Sequence, residues 1–480
     1  MQKCDVMGST VKVSKPVAAL LDGEIDKVMQ CIERGRLDAC TPIPVSKQSK
    51  YWDGTPLPLG NKKAYLLVPL INYICFMKDI TMLKALLDKS TNKKKMLALK
   101  DATHMSPLHI AAANDFVKGI PLLSEFGYDP KTMTDRGITP IMCAVSRTDP
   151  GETSMEMVNL MLLQADKDAI NVQDRWGQTA LHYATDDQWI EAVELLLAKG
   201  ADVNIQDKAG HTPLFDVVGS STYSHYKYFW YVVAADGRAK KGEQILQLLI
   251  KHKANVNVQD KDGATVLHRV VTKPDLDTFN SSFNHYVAMF ETILHAGANI
   301  HIKDREGFTP LLMAVNYYNP RFVRELAKLH TPRQLSWRHK LEEEGDTHYT
   351  TALYLPIEKV EDIESQVRAC YHIVQILVVA GHRIYSEVYK TVKQCSRFHF
   401  QYFKEILLVL EKYRMQPREL KDLSRLAIRN GMSDLRFGEI QKLPLPASLC
   451  RYVGLEDLDD IPVPGPPESP PKDAQFPEPE

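Results

Sequence analysis

An all-α solenoid, made of stacked helix-turn-helix units and closed by a small helical module, is the fold class this sequence predicts. Three observations carry that reading. A Thr/Ser-Pro/Ala-Leu-like tripeptide recurs at Ser106-Pro107-Leu108, Thr139-Pro140-Ile141, Thr179-Ala180-Leu181, Thr212-Pro213-Leu214, Thr265-Val266-Leu267, Thr309-Pro310-Leu311 and Thr351-Ala352-Leu353; two intervals are 33 residues and the others run from 40 to 53. A fixed period of this size marks repeat architectures. The stretch Asp174 to Gln206, DRWGQTALHYATDDQWIEAVELLLAKGADVNIQ, carries the start and stop signals of two short helices. The composition of the 480-residue chain, 44% hydrophobic and 25% charged, is that of globular protein.

Residues 1–100 read as a helical cap with degenerate units. Val17, Leu20, Leu21, Ile25, Val28 and Ile32 share a helical stripe, and Ala64 to Leu87 holds two more apolar helical patterns. Asp53-Gly54-Thr55-Pro56-Leu57 opens like a repeat, but Pro58 and Gly60 break the helix that should follow. Residues 101–386 are the repeat array proper. In its clearest unit Thr179 caps the first helix, where the following Ala or Pro is tolerated. Leu181 and Ala184, then Val193, Leu196 and Leu197, form two apolar faces, and Gly200 ends the second helix in left-handed geometry. The chain then runs through Ala201 to Asn204 into a turn at Asp207 to Gly210. No single pair buries enough surface to fold alone, so stacking must supply the core.

This unit resembles the ankyrin repeat, whose T-P-L-H signature opens the first of two antiparallel helices. His109, His182 and His268 hold the fourth signature position, where other units have Met142, Phe215, Leu312 and Tyr354. The resemblance implies that these histidines serve hydrogen bonding between neighbours rather than metal binding or base catalysis. Asn204 and Asn257 are expected to stabilise turns. Extra residues between Thr212 and Thr265 include Tyr223, Tyr226, Tyr228, Phe229, Trp230 and Tyr231, and the next insertion adds Phe279, Phe283 and Tyr286. Aromatic side chains are enriched at binding hot spots. Tyr226, Tyr228, Trp230 and Tyr231 are candidates for binding a substrate protein; the competing reading is a first helix extended by two turns that buries them in the stack. Pro332 to His348 is charged and reads as a solvated loop; Ile373, Ile376, Leu377 and Gly381 mark a further second helix.

Residues 387–416 join the array to the end module through an apolar helical run, Phe398 to Leu410. In 417–455, Leu420, Leu423, Ser424, Ala427 and Ile428 fall on one helical face, with Arg418, Lys421, Asp422, Arg425 and Arg429 around the rest. Pro417 suits the first turn and Gly431 the terminal cap. A helix of about fourteen residues cannot stand alone, so its apolar stripe requires a neighbour. Helix plus Leu443-Pro444-Leu445-Pro446 resembles the SOCS box, a small three-helix element that joins substrate receptors to Elongin B/C and a cullin-RING ubiquitin ligase. That resemblance implies Elongin C binding by Leu420, Leu423, Ser424 and Ile428, and Cullin-5 selection by Leu443, Pro444, Leu445 and Pro446. Ser424 stands where the family has Cys, and Glu419 where a small residue precedes the Leu. An unpartnered buried hydroxyl costs about 1–3 kcal/mol, although a helical Ser can bond back to a carbonyl one turn earlier. Residues 456–480, acidic and proline-rich, are expected to be disordered.

The net charge of −1 points to neither nucleic acid nor an anionic membrane as partner. Eight scattered cysteines form no C-x-x-C pair, which fits a reducing compartment, so the expectation is a cytoplasmic or nuclear protein. Residues 1–16 hold no apolar run of signal-peptide length, and Ala64 to Met77, with Pro69 and Asn72, favours burial over a membrane span. No phosphate-binding loop, dinucleotide fingerprint, nucleophile elbow, zinc-protease motif or RING spacing is present, so neither cofactor nor metal is expected. The resemblance implies a non-catalytic substrate receptor that works with Elongin B, Elongin C, Cullin-5 and its RING partner on an unidentified substrate protein. The alternative is an ankyrin scaffold whose box only caps the array.

Overall fold

The structure, a computed structural model, describes residues 2–6, 9–13, 17, 25–34, 36–46, 65–89, 92–101, 104–146, 152–165, 167–218, 235–272, 282–336, 339–343, 346–350, 352–353, 356, 364–382, 390, 401–415, 425 and 428–429. They fall into two compact units, one holding 1–219 with 251–254 and the other 220–250 with 255–480.

In the first unit the short helices Pro107–Ala113, Pro140–Val145, Ala180–Asp186 and Pro213–Val218 each follow a signature Ser or Thr. Proline at the first helical position costs no hydrogen bond there, because that amide has no intrahelical partner. The helices are only six or seven residues long and could not persist alone. Neighbours supply the stability: Pro107–Ala113 lies against Pro140–Val145, and Ala180–Asp186 against Pro213–Val218. The second helices Gly119–Phe126, Glu152–Gln164 and Ile190–Ala198 form a row, with Glu152–Gln164 touching both others. Between the rows Leu108, Ile141, Leu181, Val193, Leu196 and Leu214 are buried, so the core is the seam predicted by the repeat period.

The second unit repeats the scheme with Val266–Val271 against Pro310–Asn316, and Pro320–Leu329 against Glu364–Val379, which in turn meets Gln401–Met415. Helix Ala235–Lys251 takes up the polar stretch that follows the aromatic insertion. Phe290 on Ser282–His295 is fully buried and lies 5.0 Å, centroid to centroid, from Phe322. Phe290→Ala should therefore lower the stability of this unit by about 3–5 kcal/mol, as phenylalanine truncations in cores do. Urea unfolding of the full chain would show it as an earlier transition; an unchanged midpoint would mean that the ring is not part of the core.

Three two-stranded antiparallel hairpins accompany the helices among the described residues, and two of them revise the reading of the sequence. Of the run Ala64 to Leu87, only Leu70–Met77 and Ile80–Asp88 are helical, while Tyr65–Pro69 is a strand paired with Pro42–Ser46. Pro69, at φ −55° and ψ 140°, stops the helix from extending backwards, because a proline disfavours helical geometry in the residue before it. The charged insertion is not a plain loop either. Thr331 caps the short helix Pro332–Leu335, and His339–Glu343 then pairs antiparallel with Asp346–Thr350.

Candidate functional site

The signature histidines are buried cross-ties. In His109 the backbone N–H of Ser106 donates to Nδ1 at 3.2 Å, so Nδ1 is unprotonated and Nε2 carries the hydrogen. That hydrogen reaches the Ile138 carbonyl, 2.9 Å away in the next unit. His182 repeats the geometry between Thr179 N–H (3.1 Å) and the His211 carbonyl (3.2 Å). His268 does so between Thr265 N–H (3.0 Å) and the Phe308 carbonyl (3.1 Å). At the equivalent place Met142 offers only a weak sulfur acceptor, 3.4 Å from Thr139 N–H. The asparagines act similarly at the turns: Asn257 donates to the Gly297 carbonyl at 3.1 Å and accepts from Asn299 N–H at 2.7 Å.

Burial opposes charge on these rings and lowers His109, His182 and His268 to about 4 from 6.5, although the carbonyl contacts pull the other way. The sign of the pH dependence follows. An unfolded chain binds protons below about pH 6.5 that the folded chain refuses, so the stability present above that value is lost as pH falls toward about 4, on the order of 1 kcal/mol per histidine per pH unit. Burial raises Asp304 to about 6 and also raises Asp174, which favours the fold at low pH, but three histidines outweigh these two carboxyls. The urea midpoint should drop between pH 7 and pH 5; a midpoint that stays level or rises would show that the rings are not held neutral. Among the described residues no group of three or more His, Cys, Asp or Glu is placed to hold a metal ion.

The C-terminal helix is described at Arg425, Ile428 and Arg429. Arg429 is fully buried, and its Nη2 donates to the carbonyls of Lys328 and His330, both at 2.9 Å, with Ala327 at 3.4 Å. Arg425, one turn earlier and 4% exposed, directs Nη2 to the Val379 carbonyl at 3.4 Å. Those oxygens lie at the C-terminal ends of Pro320–Leu329 and Glu364–Val379, where helix carbonyls lack the amide donor four residues on; that of Ala327 also accepts the His330 N–H at 3.3 Å. Ile428, between the two arginines in sequence, is 37% exposed.

Family models match this architecture at two places, as ankyrin repeats over residues 151–240 and as a SOCS box over residues 416–453. The chain is an ankyrin-repeat and SOCS-box protein. Both elements are interaction modules of adaptor type. Over 212 residues the chain is 27% identical to the B-cell lymphoma 3 protein homolog of Mus musculus, covering 44% of this chain and 39% of that one. Over 158 residues it is 30% identical to neurogenic locus notch homolog protein 1 of Homo sapiens, covering 30% of this chain and 6% of that one. It thus spans well under half the length of these relatives. The crystal structure of the ankyrin repeat domain of Bcl-3 is similar with a TM-score of 0.40 and 22% identity, covering 51% of this chain and 92% of that one. Among the described residues no helix is long and apolar enough to cross a membrane.

Of the SOCS-box residues singled out in the sequence, Ile428 is placed, on the accessible side of its helix. Leu420, Leu423, Ser424, Leu443, Pro444, Leu445 and Pro446 lie outside the described residues, as do Tyr226, Tyr228, Trp230 and Tyr231 and the tail 456–480. From the second aromatic insertion Tyr286 is placed, half-buried on Ser282–His295. Sequence reasoning missed the arginine contacts. It assigned Arg425 and Arg429 to the polar remainder of the SOCS-box helix, whereas both are buried against the repeats. Spacing alone offers no signal for this, because a solvated arginine and a carbonyl-capping one occupy a helix identically.

Proposed function

We propose that this chain is the substrate-recognition subunit of an Elongin B/C–Cullin-5–RING ubiquitin ligase. The observation that carries the reading is a SOCS box and an ankyrin array in one chain. The array, over 101–386 behind a cap at 1–100, holds the substrate protein, with Tyr226, Tyr228, Trp230 and Tyr231 as its candidate contacts. Residues 387–416 connect to the box at 417–455, whose Leu420, Leu423, Ser424 and Ile428 meet Elongin C. By spacing, Leu420, Ser424 and Ile428 follow at i, i+4 and i+8 on a stripe about 100° around the helix from Arg425 and Arg429, so one side serves the array and the other is free for a partner. Leu443, Pro444, Leu445 and Pro446 select the cullin. The chain supplies no chemistry: it raises the local concentration of a substrate lysine at the ubiquitin-charged enzyme. It works in the cytoplasm or nucleus, without cofactor, nucleic acid or membrane.

Ser424 in the family's cysteine position supports a second reading, an ankyrin scaffold whose box no longer recruits a ligase. The experiment for the first reading is replacement of Leu443 to Pro446 by four alanines in the full chain co-expressed with Elongin B/C and Cullin-5. Cullin-5 should fall away at least about tenfold while Elongin B/C stays bound. Loss of neither would contradict the assignment of the Leu-Pro-Leu-Pro segment.

A further inference from the structure

The arginine pair has a geometry that a solvated helix face does not need. Two guanidinium groups one helical turn apart reach the C-terminal ends of two different helices, Pro320–Leu329 and Glu364–Val379, and these helices pack on each other. A helix C-terminus carries unsatisfied carbonyls and partial negative charge, which suits a cation. A guanidinium presents several donors in a rigid plane, so one Arg429 can serve the carbonyls of Ala327, Lys328 and His330 together. The receiving carbonyls are themselves held. His330 turns out of helical geometry at φ −98° and ψ 140°, and its Nδ1 donates to the Leu326 carbonyl at 2.7 Å. Just beyond, Thr331 and Gln334 cap one another at 2.7 and 3.2 Å, which fixes the far side of the cradle. Two attachment points on two helices block the swivel that one point would allow.

We infer that Arg425 and Arg429 are positioning residues that hold the SOCS-box helix on the last repeats, and so set the direction in which the array presents its bound protein to the ligase. The second half of this statement rests on the proposed function; the first does not. The lock also explains how Ile428 stays accessible: the array occupies the arginine side and leaves the adjoining side open.

The test uses the full chain in three forms, wild type, Arg425→Ala/Arg429→Ala and Arg429→Lys, with hydrogen exchange of the free protein, Elongin B/C affinity, and the pattern of the chain's own lysines modified in a reconstituted ligase. In the double variant, amides of 420–430 should exchange at least about tenfold faster, while exchange in the helices of residues 107–198 and the affinity for Elongin B/C stay within about twofold, and the modified lysines change. Arg429→Lys, which keeps the charge but not the planar fork, should give an intermediate rise in exchange, and it serves if the double variant unfolds the last repeats. Unchanged exchange in 420–430 in both variants would overturn the lock, and an unchanged lysine pattern despite faster exchange would overturn its role in presentation. A wild-type chain that binds no Elongin B/C would remove the ligase reading and with it the presentation role, while the exchange data would still decide whether the arginines hold the helix.

Discussion

Ile428→Asp should abolish capture of Elongin B/C by the full chain and leave its unfolding transition in place. Both halves follow from position. Ile428 is 37% exposed on a helix whose adjoining flank is anchored by Arg425 and Arg429, so a carboxylate there meets water and need not disturb the repeats. In a complex the same side chain would be buried in an apolar contact, and a charge brought there unpaired is strongly unfavourable. Truncating a central apolar anchor typically costs about 2–4 kcal/mol, which is roughly a thirty- to thousandfold loss of affinity. Binding by isothermal calorimetry, beside a urea unfolding curve for each form, separates the two effects. Retained binding would move the Elongin contact elsewhere, and loss of both binding and folding would show that Ile428 is part of the repeat core.

Gly177→Val should damage the repeats through the contact between successive turns. Gly177 sits at φ +84° in the turn before Thr179, and a Cβ there would lie 2.8 Å from the Lys208 backbone nitrogen and 3.0 Å from Asp207 Cα and carbonyl carbon. That nitrogen donates to the Trp176 carbonyl at 2.7 Å, a bond that joins successive turns. Left-handed backbone costs an L residue about 1–2 kcal/mol, and forcing packed neighbours apart adds ~1–3 kcal/mol. Gly200 provides the control. It has φ +93°, but its nearest neighbour is the flexible Lys167 side chain at 3.3 Å, so Gly200→Ala should cost little beyond the backbone term. Equal losses in the two variants, read from urea midpoints, would show that turn-to-turn contact contributes nothing.

The repeat fold was legible because its signals are local and periodic. Thr179, Gly200 and the Asp207 to Gly210 turn each declare a cap or a turn, and each appears where the sequence places it. The histidines were legible for the same reason, since a ring three residues after a cap must face that cap's amide. The hairpins were not. Tyr65–Pro69 has the same apolar content as the helix after it, and only the partner strand Pro42–Ser46 distinguishes the two. Arg425 and Arg429 failed to announce themselves because their acceptors are backbone carbonyls 46 and about 100 residues away, respectively, and backbone carbonyls have no sequence identity to pair with. The SOCS box was visible as a motif, and its Ser424 is a residue whose consequence depends on the partner's surface.

The measurement that bears most directly on the proposed function is size-exclusion chromatography of the wild-type full chain with Elongin B/C, with composition read by mass. A stable complex with one copy of each protein, lost in Leu420→Ala and in Ile428→Asp, is the result expected of a ligase receptor. Separate elution of the wild-type chain from Elongin B/C would contradict it and leave an ankyrin scaffold in which Ser424 has disabled the box.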